Sequence, residues 1–179
     1  MTELAGFRDA AWAALEAALQ DRDDPMRHVV LATLNGERPD ARILILRNVD
    51  RSTRVVEVHT DALSSKVSEL ERCPQACFLA WSPKRQLQLR LHVDVSVQSG
   101  SGVADLWEKV PEPSRLGYGG IRPGTPIQDH SPRGPADAAR FAVIRGTVSK
   151  MDVLELGSPY HRRAFYTASD GFSGQWVSP

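Results

Sequence analysis

Between residues 42 and 66 the chain gathers groups that could hold an anion: Arg42, Arg47, His59, Thr60, Ser64, Ser65 and Lys66. An arginine presents a planar fork of donors matched to carboxylate and phosphate oxygens. Ser64-Ser65-Lys66 opens a segment with helical spacing, and the first backbone N–H groups of a helix have no internal partner. With the positive end of the helix dipole, two hydroxyls and an ammonium, that start suits a phosphate. Each residue also has an ordinary structural role. Ser64 alone would serve as a helix N-cap. Arg42 or Arg47 alone would be half of a surface ion pair. Because these two arginines are five apart, a regular strand points them to opposite faces. A ligand touching both then requires a bend in that strand or a second subunit.

Two further groups carry polar chemistry. Gln88, Arg90 and His92 share one face of the alternating run 86–97, whose ordinary reading is a solvated sheet face. His161-Arg162-Arg163 forms a second cationic cluster, ordinarily a solvated strand end. The common phosphate cradles GxGxxG after a strand and GxxxxGK[ST] are absent, as are HExxH, GxSxG and CxxC. Cys73 and Cys77 have no second pair or nearby histidines, so no zinc site is expected.

The elements that position these groups are mostly strands. Leu4, Phe7, Ala11, Trp12, Leu15 and Leu19 recur at helical steps and predict a helix over 4–20. From His28 the texture turns to β. HVVLATL runs into the hairpin signal Asn35-Gly36, followed by ARILILRNV, a turn at Asn48–Thr53, and RVVEVHT. A short helix over 64–72 is stopped by Pro74. Strands are expected at 75–81 and 86–97, a helix at 102–109, and an ordered loop over 111–135. The run 141–156 reads as a strand with Gly146 as a bulge, and HRRAFYTA with SGQWVSP as a final hairpin. Antiparallel strands at hairpin spacing with few helices predict a mainly β fold, a barrel with flanking helices. Residues 1–179 form one domain, the helix in 1–24 and the barrel in 28–179.

Composition limits the function classes. The 179 residues carry 22 basic and 22 acidic side chains, so wholesale binding to nucleic acid or an anionic membrane is not expected. Eighteen of the basic residues are arginine, a bias that a GC-rich genome also produces. The charge is uneven, with six arginines against three acids over 25–54. No apolar run is long enough to span a membrane, and the acidic, amphipathic start does not resemble a secretory signal. A cytoplasmic protein with reduced thiols is expected.

The order of ARILILR at 41–47, VHTDALSSK at 58–66, CPQACFLAW at 73–81, QLQLRL at 86–91, SRLG at 114–117 and the ending RRAFYTA…QWVSP resembles one family. It is the pyridoxamine 5′-phosphate oxidase-like family of FMN-binding split barrels, and the likeness runs over 28–179. The resemblance implies a six-stranded antiparallel split barrel, a homodimer, and FMN held at the subunit interface. The family's phosphate-clamping arginine falls on Arg42, and Ile43, Leu44 and Ile45 continue that cofactor-binding strand. Arg47 stands where the family usually has lysine, and His59-Thr60 where it has Tyr-Thr. The phosphate-gripping Ser-Arg-Lys reads Ser64-Ser65-Lys66, one guanidinium short, which Arg47 would replace. The glutamine that touches the flavin ring, often from the partner subunit, falls on Gln88, and the late arginine on Arg163. The late tryptophan is missing near Leu154–Leu156.

The substrate side departs further. Where the family's vitamin B6 oxidases hold a substrate phosphate with Tyr, Arg and Ser, this chain has Leu106, Val110 and Ser114. Their later Arg-x-His reads Pro159-Tyr160-His161. A phosphate dianion facing valine in place of arginine loses its charge partner, which argues against vitamin B6 oxidation. The expectation is an FMN-dependent oxidoreductase acting on another small-molecule substrate or reductant, with no catalytic residue assigned. The alternatives are a non-catalytic flavin-binding protein, or a split barrel that binds the deazaflavin F420 or haem.

Overall fold

A computed structural model describes residues 2–128, 134–157 and 159–179. Helix α1 (Glu3–Gln20) is followed by strands β1 (His28–Asn35), β2 (Arg38–Asp50) and β3 (Val55–Asp61), then helix α2 (Ser65–Arg72). Strands β4 (Gln75–Ser82) and β5 (Leu87–Ser99) come next, then two short helices, α3 (Ala104–Lys109) and α4 (Glu112–Arg115). The chain ends with β6 (Phe141–Glu155), β7 (Arg162–Thr167) and β8 (Gln175–Val177).

The strands pair in the order β3-β2-β1-β4-β5-β6-β7-β8, and β3 also pairs with β6. That second pairing closes β1 to β6 into a six-stranded antiparallel barrel. The 15-residue β6 makes the split: its first half pairs with β3 and its second half with β7. Closure leaves β3 paired on both sides, and among the described residues the short β8 is the remaining edge of the sheet. Alternation along the strands sends Leu31, Leu46, Val58, Phe78, Leu89, Leu91, Ile144 and Met151 inward, all nearly or fully buried. Helix α1 adds Phe7, Ala11, Trp12 and Leu15 to that same core. A smaller cluster outside the barrel packs Val103 and Val110 on Phe141 and Val143, with Leu106, Trp107 and Tyr118 around it.

Three local expectations change. The turn expected at Asn48–Thr53 is shorter, since β2 continues to Asp50 on hydrogen bonds to β3. Gly146 is not a bulge. It pairs regularly with Val56, and a side chain there would press on Val93, whose three outer carbons stand 3.0 Å from the place of a Cβ. The bulge lies at Ser149 instead, where the register steps from His92–Lys150 to Val93–Val148. The helix expected over 102–109 divides into a tight turn at Gly100–Val103 and then α3. Of the loop expected over 111–135, residues 129–133 lie outside the described residues.

Candidate functional site

At one rim of the barrel, the end of β3 meets the start of α2. Arg42 on β2 points to this rim, where its guanidinium bonds Glu69 of α2 at 2.9 Å, Asp40 at 2.6 Å and the hydroxyl of Thr33. Glu69 is only 1% exposed, and its Oε2 also accepts from Thr33 at 2.6 Å. Lys66 sits beside this group. Its ammonium donates to Thr60 Oγ1 at 3.0 Å and, among the described residues, has no carboxylate partner. Burial, and next the charge of Arg42, hold the Lys66 amine below its usual basicity.

The α2 start is open. Ser64 occupies the N-cap position, but its hydroxyl donates backwards to Asp61 O at 2.7 Å and caps no helix N–H. The backbone N–H groups of Ser65 and Lys66 therefore point off the helix end without an internal acceptor. An ammonium with two further protons, two free N–H groups and the exposed Ser65 hydroxyl make a donor set for a phosphate.

The other half of the site lies outside the barrel. Leu46 pairs with Val58 and Asn48 with Glu57, so Arg47 is an extra residue, a bulge in β2. The bulge re-aims Arg47, and it enters a cleft of about 440 Å³ between β3, β6 and α3, together with Glu57, His59, Leu106, Val110 and Arg145. The nearly buried Glu57 bonds His59 Nε2 at 3.1 Å and Arg145 Nε at 2.8 Å. Burial alone would raise the Glu57 carboxyl, but the His59 bond and the Arg145 charge outweigh it and lower it below the usual range. The His59 ring packs edge-on against Phe141 at 4.9 Å. A carboxylate that fixes one imidazole nitrogen leaves the other to take or give a proton. Thr60 at the rim and His59 in the cleft are neighbours on β3, so one strand end serves both halves.

Gln88 and Arg163 lie elsewhere. They flank Leu154 on the outer face of β5, β6 and β7, at the end of β6 opposite the half that pairs with β3. Arg163 bonds Asp152 at 3.0 and 2.9 Å, and Arg90 also reaches Asp152, which is 2% exposed. One row of cross-strand partners runs along this face: Ile43, Val30, Leu79, Arg90, Asp152 and Phe165. Ile43 is 65% exposed, while Ile45 on the same face and the inward Leu44 are half-buried. The structure thus joins Arg42, Thr60, Ser64, Ser65 and Lys66 at the rim and Arg47 with His59 in the cleft, and keeps Gln88 and Arg163 apart from both.

The family model for the pyridoxamine 5′-phosphate oxidase, FMN-binding domain matches residues 9–99. The chain belongs to this family. FMN is the cofactor of the pyridoxamine 5′-phosphate oxidase FMN-binding domain, and the rim donors fit its phosphate. Among solved structures, a pyridoxamine 5′-phosphate oxidase-related, FMN-binding protein from Nostoc punctiforme is similar over 100% of this chain and 98% of its own, with 22% identity and a TM-score of 0.77. PhzG from Burkholderia lata, in complex with tetrahydrophenazine-1-carboxylic acid, is similar over 96% of this chain and 91% of its own, with 19% identity and a TM-score of 0.77. A putative pyridoxamine 5′-phosphate oxidase from Listeria innocua follows over 83% and 98%, with 19% identity and a TM-score of 0.55. These likenesses extend the shared fold beyond residue 99. No curated protein matches the sequence.

Sequence reasoning missed Glu57, Arg145 and Glu69. Glu57 had a signal, since it sits two residues before His59 and so on the same strand face. Arg145 had none, because only the β3–β6 pairing brings it there. Glu69 carries no local sign of burial, since its partners Arg42 and Thr33 lie 27 and 36 residues away in the chain. The membrane expectation stands in one limited form: among the described residues no helix is long and apolar enough to cross a membrane.

Proposed function

We propose that the protein is an FMN-dependent oxidoreductase, working as a homodimer on a small molecule other than a vitamin B6 phosphate. The observation that carries this reading is Lys66, a half-buried ammonium without a carboxylate partner, beside Arg42 at an uncapped helix start. A phosphate there gains two cations and free N–H donors already in place, at little ordering cost. Bound FMN supplies the redox chemistry, and the protein supplies binding, orientation and electrostatics. Between the rim and the cleft β2 carries Ile43, Leu44 and Ile45, of which Leu44 packs on the barrel core. His59, held by Glu57, is the group placed to move a proton. In the cleft wall Leu106 and Val110 stand where the family's vitamin B6 oxidases have Tyr and Arg, and this changed donor set, with Arg47 and Lys109 as the nearby cations, supports a substrate other than a vitamin B6 phosphate.

The dimer reading is supported by the apolar stretch of the exposed Ile43 with Val30 and Leu79 and by the separation of Gln88 and Arg163 from the rim. A two-fold dimer would carry those two residues to the partner's site. The unpaired Cys73 and Cys77 suit a reducing compartment such as the cytoplasm.

The purified protein should be yellow, or take up added FMN. Lys66→Ala should weaken FMN binding about tenfold or more, the loss of a charged hydrogen bond. An unchanged affinity overturns the phosphate assignment. Stopped-flow reduction by NADPH, followed by reoxidation with candidate acceptors, separates an enzyme from a protein that only carries flavin.

A further inference from the structure

We infer that a pocket at the end of the barrel opposite the rim binds a phosphate dianion, held by Arg8, Arg51 and Arg54. The inference goes beyond the flavoenzyme reading and does not rest on it.

Three separate segments build the pocket. Arg8 and Trp12 come from α1, Arg51 and Arg54 from the turn between β2 and β3, and Gly171 and Phe172 from the turn between β7 and β8. The buried Trp12 and Phe172 form its floor. Its volume is about 190 Å³, and it shares no lining residue with the cleft at His59. The seven residues of β3 separate the Arg51–Arg54 turn from the α2 start, a distance of about 20 Å. None of the lining residues falls in a motif that carries the family resemblance.

The pocket gathers positive charge. No carboxylate lines it. Asp9 adjoins it, and a single oxygen of that carboxylate serves both Arg8, at 3.0 and 3.1 Å, and Arg51. Among the described residues Arg54 has no carboxylate partner, and its guanidinium lies over the Phe172 ring at 5.0 Å. The other acids of the two turns are engaged within them: Asp50 accepts from Ser52 and Thr53, and Asp170 from the Thr167 N–H. Three guanidiniums therefore meet around one shared carboxylate oxygen, and the field they leave favours a small anion.

The three forks are held in place. Arg8 donates to Phe172 O at 2.6 Å, and the same Phe172 carries Arg54 on its ring. Arg54 and Phe172 have φ of 58° and 59°, a left-handed conformation that is costly for a residue with a Cβ. Only three non-glycine residues among those described have positive φ, and two of them line this pocket. Strained backbone on both sides thus sets the Arg54 guanidinium over Phe172, and donors placed before binding lower its cost.

The donors define the ligand. They are guanidinium N–H groups from three residues, with no hydroxyl side chain in the lining. A carboxylate has two oxygens in one plane and can occupy two such forks. A tetrahedral phosphate offers an oxygen to each fork and a second negative charge. The volume suits a phosphate group and little more, so the ligand is the free ion or the phosphate end of an ester whose body stays in solvent.

Calorimetric titration of the full-length, FMN-loaded protein at constant ionic strength, with inorganic phosphate, phenyl phosphate and acetate, tests the inference. One phosphate per chain is expected, with acetate about tenfold weaker or worse. Arg54→Gln and Arg51→Gln, both at exposed positions, should each weaken phosphate about tenfold. Lys66→Ala, at the rim, should leave it unchanged. Phenyl phosphate that binds at least as tightly as the free ion identifies an ester end as the ligand, and weaker phenyl phosphate identifies the free ion; both support the site. Absence of binding by either phosphate overturns the inference, as does acetate that binds as tightly. So does phosphate binding that Lys66→Ala removes or that neither arginine variant weakens. Flavin content is read separately from absorbance, so a colourless protein that binds phosphate through Arg51 and Arg54 fails the flavoenzyme reading alone.

Discussion

Replacing Arg42 should damage the fold before it damages the cofactor site, and the two effects can be separated. The Arg42 guanidinium is the charge partner of Glu69, which is 1% exposed and whose Oε1 has no hydrogen-bond partner. Arg42→Met removes the bonds to Glu69 and Thr33 and leaves a carboxylate in the barrel rim with only the Thr33 hydroxyl. Breaking one side of a buried pair in this way costs about 3–5 kcal/mol. In a chain of this size that lowers Tm by about 10 °C. The pair itself contributes little net stability once both desolvation penalties are counted. Arg42→Met combined with Glu69→Met should therefore recover most of the loss, a coupling of about 2–3 kcal/mol in a double-mutant cycle. Urea unfolding of the FMN-free forms measures stability without the ligand's own contribution. FMN titration of the same proteins should show weakened binding in both variants, the recovered one included. A single variant destabilised by less than about 1 kcal/mol would refute the claim that Arg42 neutralises a buried Glu69. Full FMN affinity in the double variant would refute its role at the phosphate.

Three other outcomes follow from the geometry. Gly146→Ala sets a methyl 3.0 Å from three carbons of the buried Val93 and should cost about 1–3 kcal/mol in urea unfolding, whereas wild-type stability would return Gly146 to an ordinary strand position. Ile43→Asp places a charge at the β2 end of the outer row, beside Val30 and Leu79, and should convert a dimer to monomer by light scattering, with loss of FMN if both chains hold it. Asp152 should make the protein acid-sensitive. Burial would raise its carboxyl, but hydrogen bonds from Arg163 and Arg90 prevail and lower it below 3.8. That stability is fully present above the unfolded value and disappears as pH falls through the lower folded value. Asp152→Asn should flatten the loss of stability below pH 4 (about the unfolded carboxylate range), and an unchanged acid profile would remove Asp152 from the account.

The strands were readable because their signal is local. Leu87, Leu89, Leu91 and Val93 alternate with polar residues in the sequence, and all four are buried in the barrel. Closure was readable only as a tendency, because the β3–β6 pairing, from Val55–Thr147 to Asp61–Phe141, joins residues at least 80 apart and leaves no local trace. The bulges show the same limit from the other side. Gly146 looked like a bulge because glycine tolerates one, yet its missing side chain serves the close approach of Val93. Arg47, with no unusual residue type around it, is where the register slips. A bulge is a property of two strands, and one strand's sequence carries half of it.

The same argument reorders the phosphate site. The family resemblance puts the phosphate-clamping arginine at Arg42, and Lys66 ends a motif lacking one guanidinium. In the fold, Arg42 is already committed to Glu69, Asp40 and Thr33, and these contacts compete with any incoming phosphate for its donors. Lys66 has two ammonium protons to spare and, being half desolvated next to Arg42, gains more from an anion than a solvated lysine would. A bound phosphate should therefore raise the Lys66 basicity, and FMN affinity should fall as pH climbs toward the free lysine range. In the Arg42→Met variant the Arg42 charge that depresses Lys66 is gone, while the Glu69 charge that raises it stays. There the alkaline loss of FMN should begin at higher pH than in the wild type. If it begins at the same pH, Lys66 does not carry the phosphate.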